Sequence, residues 1–177
     1  MSLLPLHLLG SPVLRQRSAE VTAVDDETRR LIDDLFETMV AAKGVGLAAN
    51  QVGVARRVAV IDADDVRLVL VNPVIIEGEG RETAEEGCLS IPEIYAEVTR
   101  PGRVTVEATD REGNRYRQEA SGLLARAIQH EIDHLDGILF VDHLGPIKRK
   151  MLLARFRKEH KDATYIKEVG PSHAGSQ

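Results

Sequence analysis

Two histidines on a predicted helix and one distant cysteine constrain this 177-residue chain more than any other feature. Residues 129–134 read Gln-His-Glu-Ile-Asp-His, so His130 and His134 lie four residues apart with Glu131 beside the first. On a helix, this spacing directs both imidazoles toward one point and leaves the carboxylate next to it. The only cysteine, Cys88, lies upstream in the segment Glu-Gly-Cys-Leu-Ser. A fold that brings these residues together would form a metal site with three protein ligands.

Two simpler interpretations of the histidine pair agree less well with the sequence. A surface helix with incidental histidines leaves unexplained why Leu123 and Ala127 continue the same stripe in the preceding turns. A structural zinc site usually has four protein ligands and several cysteines, whereas three ligands leave a position for water, as in catalytic sites. The other histidines are scattered and are interpreted as surface residues: His7, His143, His160 and His173.

Charge and cysteine content limit the partners and the compartment. A net charge of −5 argues against general nucleic-acid binding, so no DNA partner is expected. A single cysteine cannot form an internal disulfide, and a thiolate ligand persists best in a reducing compartment. The N-terminus lacks the basic start of a signal peptide, and no apolar run reaches the roughly 18 residues of a membrane span. The sequence therefore predicts a cytoplasmic protein without a membrane partner.

Apolar residues at helical spacing predict three helices, over residues 26–43, 121–137 and 146–160. Asp25 or Asp26 can cap the first helix, and Gly44 can end it. Ser121 can cap the second, and Pro146 fits the first turn of the third. The second helix carries the histidine pair, with an apolar face beside it: Leu124, Ile128, Ile132 and Leu135.

Runs rich in β-branched residues and bounded by turn-formers predict strands at residues 56–62, 67–76, 95–98, 103–109 and 115–119. Helices among antiparallel hairpins, without alternation of strand and helix, predict an α+β fold. In this fold, antiparallel sheets pack around a central metal-binding helix, with a further helix at the C-terminus. Residues 1–168 are predicted to form one domain, and residues 169–177 a disordered tail.

A segment of small residues follows the first helix. Residues 44–51 read GVGLAANQ, and two glycines with two alanines indicate that the backbone passes close to another group. Gln51, at the end of the segment, offers an amide donor. A helix C-cap followed by an ordinary turn would explain the small residues equally well.

Taken in order, GVGLAANQ, EGCLS and QHEIDH resemble the three signature motifs of the bacterial peptide deformylases. Each matches without a gap or a substituted functional residue, and the resemblance covers most of the chain, from residues 12–15 to the basic C-terminal helix. Members of that family remove the N-formyl group from nascent chains that begin with formylmethionine and release formate. The resemblance therefore implies a metal-dependent hydrolase of co-translational N-terminal processing.

The resemblance also implies roles for individual residues. It assigns the metal to three ligands: Cys88, His130 and His134. It makes Glu131 the general acid and base, and it makes the Gln51 side chain and the backbone N–H of Leu89 the groups that stabilise the oxyanion. The family's metal is ferrous iron (Fe²⁺), with Zn²⁺, Ni²⁺ or Co²⁺ as substitutes, although the ligand set alone would equally allow zinc.

A methionine side chain requires an apolar pocket, and four residues are candidates for it: Val45, Gly46, Leu123 and Ala127. Arg126 lies about 60° away from the metal-facing stripe of the helix and is expected at the rim. Glu86 is either a solvated carboxylate or, by resemblance, the partner of Arg100 in an ion pair that braces the cysteine loop. Tyr95 occupies a position where some relatives carry arginine.

The C-terminal helix is basic in a chain that is acidic overall. Seven basic residues fall between positions 148 and 161: Lys148, Arg149, Lys150, Arg155, Arg157, Lys158 and Lys161. An apolar seam is predicted to pack against the body: Met151, Leu152, Leu153 and Phe156. Such a helix can be an ordinary solvated face. Because the substrate is made at the ribosome, whose RNA is dense in phosphate, we expect this helix to contact the ribosome near the exit tunnel.

Two other functions compete with deformylation. A metallopeptidase would use His130, His134 and Glu131 with a third ligand downstream, for which Glu159 or His160 could be proposed. A catalytically silent relative would only bind formyl-peptides or ribosomes. Cys88 argues against the first function, and the intact chemical groups argue against the second.

Overall fold

The computed structural model describes residues 2–160 and 165–171. Within them lie three α-helices: α1, Asp26–Ala41; α2, Gly122–Leu135; and α3, Pro146–Glu159. Single 3-10 turns lie at Pro12–Arg15, Ala49–Val52 and Phe140–His143. The three helices predicted from periodicity are confirmed, with ends that differ by a few residues. No helix in these described ranges is both long enough and apolar enough to cross a membrane.

The first helix shows how local chemistry sets its ends. Asp25 is the N-cap, and its carboxylate accepts a hydrogen bond from Thr28 N at 2.9 Å. At the other end, Lys43 adopts the left-handed conformation, with φ of 61°, and the N–H of Gly44 donates to Met39 O at 2.9 Å. The expectation that Gly44 ends the helix is wrong, because Lys43 takes the left-handed position one residue earlier.

Nine strands pair into three antiparallel sheets in the described part of the chain. They are β1, Leu6–His7; β2, Gly46–Ala48; β3, Val58–Ala63; β4, Val66–Glu79; β5, Glu82–Cys88; β6, Ile91–Arg100; β7, Arg103–Thr109; β8, Arg115–Ser121; and β9, Ile166–Lys167. The largest sheet has the order β2-β3-β4-β7-β8, while β5 pairs with β6 and β1 with β9. The predicted α+β class is confirmed.

The central helix α2 packs its apolar face against the five-stranded sheet. Ile128 and Leu135 are fully buried in a cluster with Ile61, Leu70 and Val106 from the strands. Removing each such side chain from water stabilises the fold by roughly 1.5–3 kcal/mol. This packing holds the polar face of α2 toward the β5–β6 hairpin, where Cys88 lies at the end of β5.

The C-terminal region differs from expectation at one position and extends the fold at another. Met151 is 64% exposed and does not join the apolar seam, which α3 forms with Leu152, Leu153 and Phe156. The predicted disordered tail begins with Val169, which packs against a core cluster, whereas residues 172–177 lie outside the described ranges. The domain boundary at residue 168 stays a prediction.

Candidate active site

The fold brings the three predicted metal ligands to one point. The Sγ of Cys88 lies 3.3 Å from Nε2 of His134, which lies 3.2 Å from Nε2 of His130. All three ligand atoms lie within 4.8 Å of one another. The two histidines come from adjacent turns of α2, as their spacing predicts, while the cysteine is delivered by the β5–β6 hairpin.

The donor set suits a divalent metal ion. Metal–nitrogen bonds of about 2.0–2.1 Å and metal–sulfur bonds of about 2.3 Å allow one ion to reach three atoms at these separations. Burial lowers the pKa of His134, whereas hydrogen bonds with Cys88 and Glu86 outweigh burial and raise the pKa of His130. Three protein ligands leave room for a water molecule or for substrate, as in catalytic sites.

Glu131 is buried beside this cluster without a hydrogen-bond partner for its Oε1 among the described residues. Burial raises the pKa of the Glu131 carboxyl to about 7. Its Oε2 lies against Gly46, where an added Cβ would come within 2.6 Å of the carboxylate oxygen. Position 46 therefore requires glycine, because any side chain there would displace the Glu131 carboxylate.

Hydrogen bonds fix the side-chain amide of Gln51 beside Cys88. Its Oε1 accepts from the N–H of Ala48 at 2.9 Å, which fixes the orientation of the amide. The Nε2 donates to Ser90 Oγ at 3.1 Å and lies 3.6 Å from Cys88 Sγ. The backbone N–H of Leu89 donates to no described group. The Gln51 amide thus places a donor beside the cysteine.

Glu86 lies at the centre of a buried ion-pair network. It accepts from Arg100 at 2.6 and 2.9 Å, from Arg126 at 2.6 Å and from His130 Nδ1 at 3.0 Å. Burial opposes ionisation, but hydrogen bonds from His130 and Arg100 outweigh it and hold the pKa of Glu86 far below its usual range. The carboxylate thereby orients the His130 ring, so that Nε2 faces the other ligands.

Arg126 of α2 does not lie where the sequence predicts. Arg126 was expected at the rim, but it is buried and also donates to the carbonyl oxygens of Val98 and Glu82 at 2.9 Å. Asp133, also on α2, accepts from Arg100 at 2.9 Å. The signal that could have located Arg126 is its position one turn before His130, on the same side of the helix.

We expect Glu86→Gln to lower the free energy of unfolding by roughly 3–5 kcal/mol, because two buried arginines would lose their anionic partner. Metal affinity should fall by about 10–100-fold, since the His130 ring would be less well oriented. Glu85→Gln is the matched control, because Glu85 is exposed on the same strand. Urea unfolding and metal titration measure both effects. Equal stability of the two variants would contradict the structural importance of the network.

A cleft of about 590 Å³ opens onto the cluster. Its lining includes all four residues proposed for the methionine pocket: Val45, Gly46, Leu123 and Ala127. Tyr95 also lines the cleft, and its ring covers Gly87, where an added Cβ would come within 2.5 Å. The pocket candidates thus surround a single cavity that leads to Glu131 and the metal ligands.

The alternative third ligands lie elsewhere. His160 Nδ1 is 2.9 Å from the carbonyl oxygen of Phe156, and its ring stacks on that side chain. Glu159 pairs with Arg155 at 3.2 Å on the same exposed helix. Neither residue belongs to the Cys88 cluster, and both lie beyond the cleft. Of the remaining histidines, His143 pairs with Asp133 and His7 with Ser11, while His173 lies outside the described ranges.

Comparison with known proteins gives a consistent result. The polypeptide deformylase family model matches residues 3–150. A peptide deformylase from Chromohalobacter salexigens is 56% identical over 152 residues, covering 84% of this chain and 89% of that protein. A peptide deformylase from Rhizobium meliloti is 50% identical over 167 residues, which cover 91% of this chain and 96% of that protein.

Solved structures agree with these relatives. The crystal structure of a peptide deformylase from Legionella pneumophila matches with a TM-score of 0.85 at 42% identity, covering 90% of this chain and 96% of that one. The crystal structure of Ehrlichia chaffeensis peptide deformylase in complex with actinonin matches with a TM-score of 0.86 at 37% identity. The match covers 93% of this chain and 100% of that one. With the family model matching well over half of its residues, this chain belongs to the polypeptide deformylase family.

Proposed function

We propose that this protein is a metal-dependent hydrolase that removes the N-formyl group from the formylmethionine of newly made proteins and releases formate. The observation that carries this proposal is the position of Glu131, buried beside the Cys88, His130 and His134 cluster at the end of an apolar cleft. Family membership supports the same reaction.

We assign the metal to Cys88, His130 and His134, with ferrous iron as the family's metal and zinc, nickel or cobalt as substitutes. A divalent ion held there supplies Lewis acidity, which lowers the pKa of a water molecule toward roughly 7 and polarises the formyl carbonyl. A cytoplasmic location suits this site, because a reducing compartment protects the thiolate of Cys88 from oxidation.

Glu131 moves the proton in this scheme. Its carboxylate takes a proton from the attacking water and then delivers it to the α-amine of methionine as the carbon–nitrogen bond breaks, so the amine does not leave as an anion. The formyl carbon gains the water oxygen and leaves as formate. Burial of Glu131 suits this exchange, because a carboxyl with a raised pKa can both accept and return a proton near neutral pH.

Gln51 and Leu89 stabilise the oxygen that becomes negative during attack. The Gln51 Nε2 lies 3.6 Å from Cys88 Sγ, and the N–H of Leu89, the next residue in the chain, has no hydrogen-bond acceptor among the described residues. Losing one such donor typically raises the barrier by about 2.7–4 kcal/mol. The hydrogen bond from Ala48 N to Gln51 Oε1 keeps the amide from rotating its oxygen toward the developing charge.

The recessed site explains why a formamide is the substrate. The formyl carbon carries only hydrogen besides its oxygen and nitrogen, so it can approach buried groups that would collide with an internal peptide bond. The methionine side chain occupies the pocket formed by Val45, Leu123 and Ala127, of which Ala127 is the most deeply buried.

Ala127→Phe should raise KM for formyl-Met peptides more than for formyl-Gly peptides, because the larger ring would fill the space for the methionine side chain. The expected difference is about 10-fold or more, comparable to the loss of one or two methylene contacts. Ala154→Phe on the exposed face of α3 is the control. An equal rise in KM for both substrates would remove Ala127 from the pocket.

The central test is formate release from formyl-Met-Ala-Ser under anaerobic conditions, with metal analysis alongside. The proposal expects formate from this peptide and no cleavage of unformylated Met-Ala-Ser. Cleavage of the unformylated peptide would favour the metallopeptidase. Binding of the formylated peptide without turnover, in protein with a full complement of metal, would favour the silent relative.

We also propose that α3 contacts the ribosome near the nascent-chain exit. Four of its basic side chains are exposed and have no ion-pair partner among the described residues: Lys148, Lys150, Arg157 and Lys158. Arg149 pairs with Asp142 and Arg155 with Glu159, so they contribute less free charge. Lys161 lies outside the described ranges. Exposed cations on one helix can neutralise phosphates of ribosomal RNA.

Charge reversal tests this contact without removing the C-terminal segment. The double substitution Lys150→Glu and Lys158→Glu should weaken co-sedimentation with ribosomes at low salt by about tenfold, because phosphate contacts dominate such binding. Arg30→Glu with Arg81→Glu makes the same change in net charge on other exposed surfaces and should have little effect. Equal weakening by both variants would show a response to net charge rather than to α3.

A further inference from the structure

Residues 165–170, near the C-terminus, lie beside the N-terminal strand β1. Lys167 of β9 lies opposite Leu6 of β1, and the N–H of Leu8 donates to Tyr165 O at 2.6 Å. The Tyr165 ring covers Gly10, which leaves no room for a Cβ at that glycine. Backbone pairing and ring packing therefore hold this segment in one place.

The end of this segment lines the cleft. The cavity that Cys88, His130 and Glu131 line is also bordered by Lys167, Glu168, Val169 and Gly170. Val169 is partly buried and packs in the same cluster as Ala42 and Leu89, which also line the cleft. In the described ranges, no hydrogen bond or ion pair joins these four residues to Cys88, His130, His134 or Glu131. They belong to the rim rather than to the reacting centre.

A nascent chain must leave the cleft along its border, and residues 167–170 form part of that border. The formyl group and the methionine side chain account for the region around Glu131, Val45 and Ala127, but the cleft of about 590 Å³ is the volume of roughly twenty waters at ~30 Å³ each. The space that remains can receive the residues that follow methionine. Directly opposed residues of paired strands lie on the same face, so Lys167 points to the same side as Leu6, which lines the cleft.

We propose that residues 167–170 form a wall that contacts the second and third residues of the substrate and sets affinity for the peptide beyond methionine. This inference rests on the proposed function. Val169 supplies an apolar contact, Gly170 leaves room for a backbone, and Lys167 has no ion-pair partner among the described residues, so its ammonium can donate to a peptide carbonyl.

Kinetics of two substrates that differ only in length test the wall. In the metal-loaded full chain, Val169→Asp should raise KM for formyl-Met-Ala-Ser-amide at least about threefold more than KM for formyl-Met-amide, with kcat little changed. Lys167→Ala should act in the same direction. Val74→Asp introduces the same charge at an exposed position of β4 outside the cleft and should alter neither KM. An equal effect of Val169→Asp on both substrates, or no effect on either, would overturn the proposal.

A second measurement needs no substitution. A formyl-Met-Ala peptide with benzoylphenylalanine at its third position should label residues 167–170 of the full chain upon irradiation. Labelling confined to Glu93 or Tyr95, which also border the cleft, would contradict the wall. Failure of the parent protein to release formate from either peptide would overturn the proposed function instead. The crosslink would still test whether residues 167–170 contact the peptide, since labelling requires only binding.

Discussion

Glu131→Ala is expected to reduce kcat for formyl-Met-Ala-Ser by at least about a hundredfold while the metal content and the fold stay unchanged. The carboxylate is the only buried acid of the cleft that lacks a charged partner in the described structure, since Glu86 is paired with arginine. Without it, neither the attacking water nor the departing amine has a positioned group for proton transfer.

Glu131→Gln is the matched companion of this variant, because it keeps the shape of the side chain but replaces the basic carboxylate with a neutral amide. Both variants should fail to the same degree if proton transfer is the role of Glu131. Stopped assays of formate release, with metal analysis and thermal unfolding of each preparation, distinguish this loss from a loss of metal. Near-normal turnover in either variant, with metal content confirmed, would contradict the role of Glu131 in proton transfer.

Cys88→Ala should lose the metal and all measurable activity, the second large effect expected. Two histidines alone make a weak site, and the cysteine is the one ligand that comes from outside α2. Cys88→Asp should keep part of the metal, because a carboxylate oxygen can replace the thiolate as a ligand. The order of metal content is therefore expected to be parent, then Cys88→Asp, then Cys88→Ala.

His160→Ala is the control for this series, since His160 is a potential ligand by residue type but lies on α3 away from the cluster. It should keep full metal content and activity. Metal titration under anaerobic conditions measures all three variants. Should Cys88→Ala bind stoichiometric metal as tightly as the parent, the third ligand must lie elsewhere, and the metallopeptidase becomes the better hypothesis.

Elements controlled by local chemistry could be predicted from the sequence. The N-cap at Asp25 and the start of α3 at Pro146 depend on groups within one helical turn. Ser121 precedes α2 as predicted, but its side chain makes no cap hydrogen bond, and the N–H of Leu124 donates to the distant Asp64 at 3.2 Å instead. The two ligands of α2 belong to the same class, because a spacing of four residues on a helix determines their separation wherever the helix packs.

Strand β5 was not predicted, although it carries Cys88. Its first four residues are all exposed, so no alternation of apolar and polar residues marks it in the sequence. Only its pairing with β6 defines it as a strand. Met151 was misplaced for a related reason. Helical spacing identifies a side of α3, but the packing of α3 on β6 and on the 3-10 turn at Phe140–His143 decides which side becomes buried.

By itself, the sequence determined the positions of the helices, the cap at Asp25, the spacing of His130 and His134 and the resemblance to the family, because these depend on residue identity at short spacing or in ungapped motifs. Only the tertiary structure decided that Arg126 would be buried on Glu86 and that residues 167–170 would border the cleft. Such contacts join residues far apart in the chain, and their free energy depends on burial and ion pairing that exist only after the sheets and α2 have packed.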